Sequence, residues 1–137
     1  MIQRTLLIIK PDAVEKKLIG EIIRRIESAG YQIQNIRMLV MKKQNAVAFY
    51  QIHQGKYFFE PLIDFMISGP CVPMVVAGPN AVNNIRKIVG ATDPKEAEDG
   101  TIRKDFATNG RRNAVHASDS PESAEWEIEF FFNNQSE

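Results

Sequence analysis

Asn113-Ala-Val-His-Ala117 is the only strand-like stretch in a long irregular segment of this chain, residues 91–119. The segment is rich in Gly, Thr, Asp, Arg and Asn, and its apolar residues show no clear period. Irregular segments of this length inside a compact domain are usually functional or disordered. Because the rest of the chain supplies three strands, we predict that a fourth strand lies at 113–117.

The three other strands are short apolar or β-branched runs at Thr5–Ile9, Tyr31–Met41 and Cys71–Ala77. Helical spacing or helix signals mark the segments between them. The predicted helices are Ile19–Ile26 with Gly30 as its stop, Gln44–His53, Pro61–Ile67 with proline at its start, a helix capped by Asn80 and closed by Gly90, and a last helix opened by Ser120-Pro121. This order predicts an α/β (α+β) sandwich, a ferredoxin-like βαββαβ fold with a four-stranded antiparallel sheet flanked by helices.

Length and composition restrict the possible classes of protein. The 137 residues correspond to one domain, so we assign residues 1–137 to a single domain. The 17 basic and 17 acidic residues cancel, which argues against an obligatory nucleic-acid partner and against binding to anionic membranes. No apolar run approaches about 18 residues, so no membrane span is expected. A single cysteine, Cys71, and the lack of a signal peptide predict a cytoplasmic protein.

Several common catalytic motifs are absent from the sequence. Neither G-x-x-x-x-G-K-[ST] nor G-x-G-x-x-G occurs, which argues against a P-loop or Rossmann nucleotide site. With two His and one Cys in the chain, no Cys/His cluster has metal-ligand spacing. No G-x-S-x-G supplies an activated serine.

The two histidines have different surroundings. His53 lies at the polar end of a predicted helix, beside Gln54-Gly55, where a solvated side chain is expected. His116 lies in the predicted fourth strand and is followed at once by Ser118-Asp-Ser120. On these residues alone, His116 is either a histidine packed at a strand edge or a nucleophile.

Two features favour a nucleophile. Glu127 falls on the helical stripe of Ala124, Ile128 and Phe131, so a carboxylate faces inward and needs a partner. An imidazole N–H of His116 could be that partner, which would fix its tautomer and leave the other nitrogen free to attack. Cations in the same region suit an anionic substrate such as a polyphosphate. They are Arg86, Arg103, Lys104, Arg111 and Arg112.

The stretch Asn113-Ala-Val-His-Ala-Ser-Asp-Ser120 resembles the active-site signature of nucleoside diphosphate kinases. Six further blocks agree with that family in the same order, over nearly the whole chain. They are Arg4-Thr5 leading to Ile9-Lys-Pro-Asp-Ala-Val14, Gly20-Glu-Ile22, Phe58-Phe59, Ser68-Gly-Pro70, Gly90-Ala-Thr-Asp-Pro94 and Gly100-Thr-Ile-Arg103.

The resemblance implies a ping-pong kinase. It passes the γ-phosphate of a nucleoside triphosphate, mainly ATP, to a histidine and then to a nucleoside diphosphate. By this resemblance His116 matches the phosphorylated nucleophile, Glu127 the carboxylate that orients it, and Ser118 a serine that helps to position that carboxylate. The groups around the phosphates and ribose are matched by Lys10, which also counts among the catalytic residues, and by Tyr50, Arg86, Thr92, Arg103 and Asn113.

The base site implied by the resemblance is simple. Phe58 matches the aromatic that stacks on the base, and Leu62 lies beside it. Stacking without groups that read the base edge would accept purines and pyrimidines alike. Family members hold Mg²⁺ mainly through the nucleotide phosphates, so Mg²⁺ is the expected cofactor and no protein metal ligands are expected.

Three residues depart from the family pattern. Ala117 stands where most relatives have glycine, Arg111 replaces a residue that is usually small or apolar, and Pro121 lies in the first turn of the last helix. The family also implies a homo-oligomer, and we expect a hexamer, with a tetramer or dimer as the alternatives. The chain has no long tail after the last helix, so the loop from Gly90 to Gly100 is expected to carry higher assembly.

Two other functions remain open at this point. The same fold could serve as a regulatory or nucleic-acid-binding module, since fold does not fix function. A phospho-carrier that accepts phosphate from a partner protein is the other alternative, but it would have no use for a nucleotide pocket.

Overall fold

A computed structural model describes residues 2–132 of the chain. It contains four strands: β1 (Ile2–Ile9), β2 (Gln32–Ile36), β3 (Val72–Pro79) and β4 (Val115–Ala117). They form one sheet in the order β2-β3-β1-β4, and each neighbouring pair is antiparallel. This is the predicted ferredoxin-like arrangement, and the fourth strand lies inside the stretch that predicted it.

Helices cover the two faces of the sheet. They are α1 (Pro11–Glu15), α2 (Ile19–Ser28), α3 (Lys43–Phe49), α4 (Phe59–Met66), α5 (Ala81–Val89), α6 (Ile102–Phe106) and α7 (Pro121–Phe132), with a 3₁₀ turn at Gln51–His53. None of the helices within residues 2–132 is both long and apolar enough to cross a bilayer.

β1 separates two hydrophobic cores. Leu6 and Ile8 belong to the core formed with α3, α4 and α7, whereas Leu7 and Ile9 belong to the core formed with α2 and α5. All four side chains are completely buried. Successive side chains of a strand point to opposite faces, so a strand covered by helices on both sides reads as a continuous apolar run.

Several element boundaries differ from the sequence prediction. β1 begins three residues earlier than Thr5, and the strand predicted over Tyr31–Met41 is limited to β2, with a single further bridge between Leu39 and Cys71. The helix predicted over Gln44–His53 is α3 followed by the separate 3₁₀ turn. α4 begins at Phe59, so Pro61 is its third residue and the predicted proline start was wrong.

Other differences concern short helices and a cap. α1 and α6 were missed because each has five residues, too few to show a helical period. The predicted Asn80 cap was also wrong. Asn80 is left-handed at φ 47°, its side chain makes no capping bond, and the Val82 N–H instead donates to the side-chain oxygen of Gln3 at 3.0 Å.

Candidate active site

His116, Glu127 and Ser118 form a connected group between β4 and α7. The Nε2 atom of His116 lies 2.9 Å from Oε1 of Glu127, and the Ser118 hydroxyl donates to the same oxygen at 2.7 Å. A carboxylate only accepts hydrogen bonds, so Nε2 carries the proton of the imidazole. Nδ1 has no hydrogen-bond partner within residues 2–132, and in the neutral imidazole it is the nitrogen with the lone pair. The carboxylate that faces inward and its imidazole partner are therefore placed as the sequence predicted.

Strand register and helix periodicity bring this group together. β4 pairs with β1 so that His116 lies opposite Ile8, and the Leu6 N–H donates to the Ser118 hydroxyl at 3.2 Å. Ala124, Ile128 and Phe131 are buried, so α7 presents Glu127 on the side that packs on β1. The side chains of His116 and Glu127 are 22% and 13% exposed, so the pair is largely shielded but open to a ligand.

The Phe49 ring holds the imidazole from the side of α3. Its centroid lies 5.5 Å from that of His116, in an edge-on arrangement at 73°. Phe49 also contacts the rings of Tyr50 and Trp126, so it is fixed by neighbours on two elements. An edge-on contact of this kind restricts ring rotation, and it leaves the Nε2–Glu127 bond in place.

Lys10 is a buried cation beside the histidine. Its ammonium donates to Oδ1 of Asn113 at 2.8 Å, and no carboxylate among residues 2–132 is hydrogen-bonded to it. Burial, and next the positive charge of Arg103, lower the pKa of Lys10 from 10.5 to about 7, against the smaller opposing effect of Asp12. A buried amine of this kind gains stability from an anion that neutralises it.

Arg103 and Arg86 are held by backbone carbonyls. Arg103 donates to the carbonyl oxygens of Val115 and Gly90 at 2.8 and 3.1 Å, and Arg86 donates to that of Ala117 at 3.1 Å. Burial and the charge of Arg86 lower the pKa of Arg103 to about 10. Both guanidinium groups are thus positioned by backbone oxygens, without a carboxylate partner in the described part of the chain, and their charge stays available.

A strained backbone position supports Asn113. The next residue, Ala114, has φ 76°, a left-handed conformation that costs an alanine roughly 1–2 kcal/mol. The Ala114 N–H donates to Asp12 at 3.0 Å, and its carbonyl accepts from the Lys10 N–H at 2.9 Å. These bonds hold the bend that points Asn113 toward Lys10 and lets β4 begin.

Aromatic and apolar side chains form the other end of the site. Phe58 is half-buried just before α4, and Leu62 lies one turn further along that helix. The Tyr57 ring makes an edge contact with Phe58 at 5.5 Å between centroids. Tyr50 is buried, its hydroxyl has no partner within residues 2–132, and burial raises its pKa.

A single cavity of about 820 Å³ joins the cationic and aromatic ends. Ligand pockets in proteins have volumes of this order. Every site residue predicted from the sequence lines it except Ser118, which lies behind Glu127. The predicted lining residues are Lys10, Tyr50, Phe58, Leu62, Arg86, Thr92, Arg103, Asn113, His116 and Glu127.

Some expectations about individual residues are corrected. Lys104 and Arg112 do not line the cavity, and Arg112 instead lies 5.0 Å over the Phe65 ring. His53 is half-buried and lines the cavity, so its side chain stays partly exposed, as predicted, but also belongs to the site, which was not predicted. Burial and the charge of Lys56 lower the pKa of His53. Its spacing of three residues from Tyr50 was the signal that could have placed it there.

The departures from the family pattern fit the site. Ala117 lies in β4 with negative φ, so its backbone needs no glycine. Pro121 is the first residue of α7, as predicted. Arg111 lines the cavity.

Sequence reasoning also missed several cavity residues. They are Phe49, Ile52, Tyr57, Asn109, Gly110, Asp119 and Ser123.

The carboxylates of the cavity lining are those of Asp119 and Glu127, and Oε1 of Glu127 accepts two hydrogen bonds. Residues 2–132 contain no group of three or more His, Cys, Asp or Glu side chains placed to hold a metal ion.

Comparisons with known proteins agree with this geometry. A family model described as nucleoside diphosphate kinase matches residues 3–136. The nucleoside diphosphate kinase of Salinibacter ruber is 50% identical over 130 residues, which cover 95% of this chain and 92% of that protein. The enzyme of Francisella philomiragia is 53% identical over 132 residues, which cover 96% of this chain and 94% of the relative.

Solved structures are similar over the same length. A crystal structure of the Aquifex aeolicus nucleoside diphosphate kinase has a TM-score of 0.95 at 43% identity, covering 98% of this chain and 97% of that one. The apo enzyme of Encephalitozoon cuniculi has a TM-score of 0.94 at 34% identity, covering 98% and 92%.

Proposed function

The chain belongs to the nucleoside diphosphate kinase family and is a phosphotransferase, and on that basis we propose a ping-pong reaction through a phosphohistidine on His116. The donor is a nucleoside triphosphate, mainly ATP, and the acceptor is a nucleoside diphosphate. The observation that carries this proposal is the 2.9 Å bond between His116 Nε2 and Glu127 in a cavity lined by cations.

In the first half-reaction, the Nδ1 lone pair of His116 attacks the γ-phosphorus. The N–P bond forms while the bond from that phosphorus to the bridging β–γ oxygen breaks, and the nucleoside diphosphate leaves with the electron pair. In the second half-reaction, a terminal oxygen of a new nucleoside diphosphate attacks the same phosphorus and releases Nδ1. The Nε2 proton stays on the ring throughout, so no external acid or base is needed.

Glu127 stabilises the intermediate in this scheme. Once Nδ1 carries the phosphoryl group, the imidazole is positively charged, and its Nε2–H bond to the carboxylate becomes charge-assisted on both sides. The Ser118 hydroxyl, itself held by the Leu6 N–H, keeps the carboxylate oxygen in place. The arrangement exists before substrate binds, so little reorganisation is required during reaction.

The three fixed cations suit the charge of a transferring phosphoryl group. Lys10, Arg86 and Arg103 all line the cavity, and none of them has a carboxylate partner between residues 2 and 132. Such groups stabilise charge on the equatorial oxygens of a metaphosphate-like transition state. We propose that Mg²⁺ enters with the nucleotide as part of the substrate, held by phosphate oxygens.

Base and sugar acceptance are proposed to be broad. Phe58 and Leu62 contribute an aromatic and an aliphatic surface to the cavity lining. A base held by stacking is tolerated whatever its edge presents, because every base has a π-face. Thr92, whose carbonyl accepts from the Asn113 amide at 3.4 Å, is proposed to contact the phosphates beside Asn113.

We also propose that the chain works in the cytoplasm as a homo-oligomer. β2 lies at an edge of the sheet, and Ile36, Met38 and Val40 are 46%, 56% and 58% exposed. An exposed apolar sheet edge is a ready site for pairing with another chain. A second copy would cover it, and the loop from Gly90 to Gly100 would extend a dimer to the expected hexamer.

A label-and-chase experiment tests the mechanism. The protein is incubated with γ-labelled ATP and Mg²⁺, and an acid-labile label on the protein is expected, which unlabelled GDP then removes as labelled GTP. His116→Ala is expected to abolish both steps while the circular dichroism spectrum stays unchanged. If that variant retained more than about a thousandth of the activity, the covalent mechanism would be wrong.

The same experiment separates the alternatives. A regulatory or nucleic-acid-binding module would take up no label. A phospho-carrier would become labelled from a phosphorylated protein but would not return the phosphate to GDP.

A further inference from the structure

Arg111 differs from the other cations of the cavity. Lys10, Arg86 and Arg103 are each fixed by Asn113 or by backbone carbonyls. Arg111 lines the same cavity, yet its guanidinium makes no hydrogen bond, ion pair or ring contact within residues 2–132. The side chain is exposed, so the fold places a planar cation at the cavity and leaves it without a protein partner.

The backbone under Arg111 is well held. Oδ1 of Asn109 accepts from the N–H groups of Arg111 and Arg112 at 2.9 and 2.8 Å. The Thr108 N–H donates to the Arg112 carbonyl at 2.7 Å, and the Asn113 amide donates to the Gly110 carbonyl at 3.1 Å. The turn at 108–112 is therefore tied to itself and to Asn113, so the position of Arg111 is defined although its side chain is free.

The neighbour of Arg111 fixes the turn against α4. The Arg112 guanidinium lies 5.0 Å over the ring of Phe65, which is one turn along α4 from Leu62. Leu62 and Phe58 are themselves one turn apart and form the base end of the cavity. The turn thus packs against α4, the helix that carries Leu62, and Gly110 and Arg111 line the same cavity as Phe58 and Leu62.

We infer that Arg111 is a specificity-determining residue, which stacks its guanidinium on the base that Phe58 holds and so favours purine over pyrimidine nucleotides. The inference rests on the proposed function, because it concerns the nucleotide of the same site. A guanidinium is planar, weakly hydrated and able to stack on π-faces, whereas an ammonium is a strongly hydrated point charge. A purine offers the larger π-face to such a contact, so the stabilisation is greater for adenine and guanine than for cytosine and uracil.

The test compares acceptor bases in three forms of the protein. Wild type, Arg111→Ala and Arg111→Lys are assayed with ADP, GDP, CDP and UDP as acceptors, at a fixed concentration of an unrelated donor triphosphate. For Arg111→Ala we expect kcat/KM to fall about fivefold for the purines and less than about twofold for the pyrimidines, mostly through KM. Arg111→Lys keeps the positive charge but lacks the planar guanidinium group, so we expect it to behave like the alanine variant.

Lys104→Ala is the matched control. Lys104 is an exposed cation on α6 that does not line the cavity, so its removal changes the net charge equally and leaves the base preference unchanged. Equal losses for all four acceptors in Arg111→Ala would overturn the inference, since they would point to contact with the phosphates. If Arg111→Lys kept the same purine preference as the wild type, the inference would also be overturned, because a positive charge alone would then be enough to give that preference.

Binding measured without turnover keeps the two proposals distinguishable. Calorimetric dissociation constants of Mg²⁺-bound ADP and CDP give the base preference directly in each variant. If wild-type protein failed to transfer phosphate, the proposed function would fall, but the calorimetric ratio would still decide the role of Arg111. An ADP-to-CDP ratio that is the same in wild type and Arg111→Ala would overturn the inference about Arg111 alone.

Discussion

One oxygen of Glu127 serves both His116 and Ser118. Oε1 lies 2.9 Å from Nε2 of His116 and 2.7 Å from the Ser118 hydroxyl, and the residues reach this point from β4 and α7. These two hydrogen bonds, one from each residue, together hold this carboxylate oxygen in place. The imidazole of His116, the proposed nucleophile, is therefore oriented through Nε2 by a carboxylate that is itself held in place.

Glu127→Gln is expected to slow phosphoryl transfer while preserving the fold. The amide oxygen can still accept from Nε2, but the negative charge opposite the phosphoimidazolium is lost. Hydrogen bonds to charged groups contribute about 1.5–3 kcal/mol, so kcat should fall about ten- to hundredfold with KM nearly unchanged. Rapid-quench measurement of phosphohistidine formation checks this. An unchanged rate would show that the carboxylate contributes geometry but no charge stabilisation.

Ser118→Ala is expected to affect stability more than catalysis. Its hydroxyl donates to Glu127 and accepts from the buried Leu6 N–H, and that N–H would lose its partner. An unsatisfied buried donor costs about 1–3 kcal/mol, whereas one neutral hydrogen bond contributes about 0.5–1.5 kcal/mol to the orientation of Glu127. Denaturant unfolding and kcat are measured on the same samples. A loss in kcat that exceeds the loss in stability would give Ser118 a more direct role in the chemistry.

Nucleotide binding is expected to take up a proton near pH 8. The pKa of Lys10 is about 7 in the free protein, so its amine is mostly neutral at pH 8. A bound polyphosphate favours the ammonium and raises that pKa, so up to one proton enters with each nucleotide and affinity falls as the pH rises above about 7. Calorimetry in buffers of different ionisation enthalpy counts the protons. In Lys10→Met the uptake should disappear, and its persistence would assign the proton to another group.

Phe58→Ala is expected to weaken binding of every base. Loss of base stacking costs about 1–3 kcal/mol, so KM should rise by roughly five- to hundredfold for purines and pyrimidines alike. Steady-state kinetics with four acceptor bases measures the effect. A loss restricted to one base would show that contacts to a base edge dominate over stacking by Phe58.

Most of the sheet could be predicted from the sequence because its strands are marked by burial. β1 and β3 are covered on both faces and read as apolar runs, so both were found despite errors at their ends. Five-residue helices such as α1 and α6 carry too few turns for a periodic pattern. The false cap at Asn80 shows a different limit, because Gln3, 79 positions away from Val82, supplies the bond instead. A local pattern cannot contain that partner.

The candidate site also combines residues whose positions the sequence could predict with residues whose positions it could not. The Glu127 side chain was predicted to face inward because its helical stripe is visible in the sequence, and the structure places it there. The positions of His53 and Arg111 depend on how a 3₁₀ turn and the turn at 108–112 cross neighbouring helices. Those crossings come from tertiary packing, such as the contact of Arg112 with Phe65, which no local spacing encodes.

The last prediction concerns assembly. Lys95, Glu96 and Glu98, in the loop between Gly90 and Gly100, are exposed and form no ion pair within residues 2–132, so they are available to pair across subunits. The edge strand β2 with Met38 and Val40 offers a second, apolar contact.

These two contacts respond differently to salt. Exposed ion pairs are worth little each and are screened at molar salt, where the Debye length is about 3 Å, whereas apolar contacts are not weakened. We therefore expect light scattering to show a hexamer at low salt that dissociates into dimers, not monomers, at 1 M salt. Pro94→Ser, which makes the loop from Gly90 to Gly100 more flexible, should lower the salt concentration at which the hexamer dissociates. At saturating nucleotide, the activity should fall by a smaller fraction than the mass of the assembly does. The reason is that the site residues named above all come from one chain. A mass of two subunits at every salt and protein concentration would refute the hexamer, and dissociation to monomers would refute the apolar edge contact.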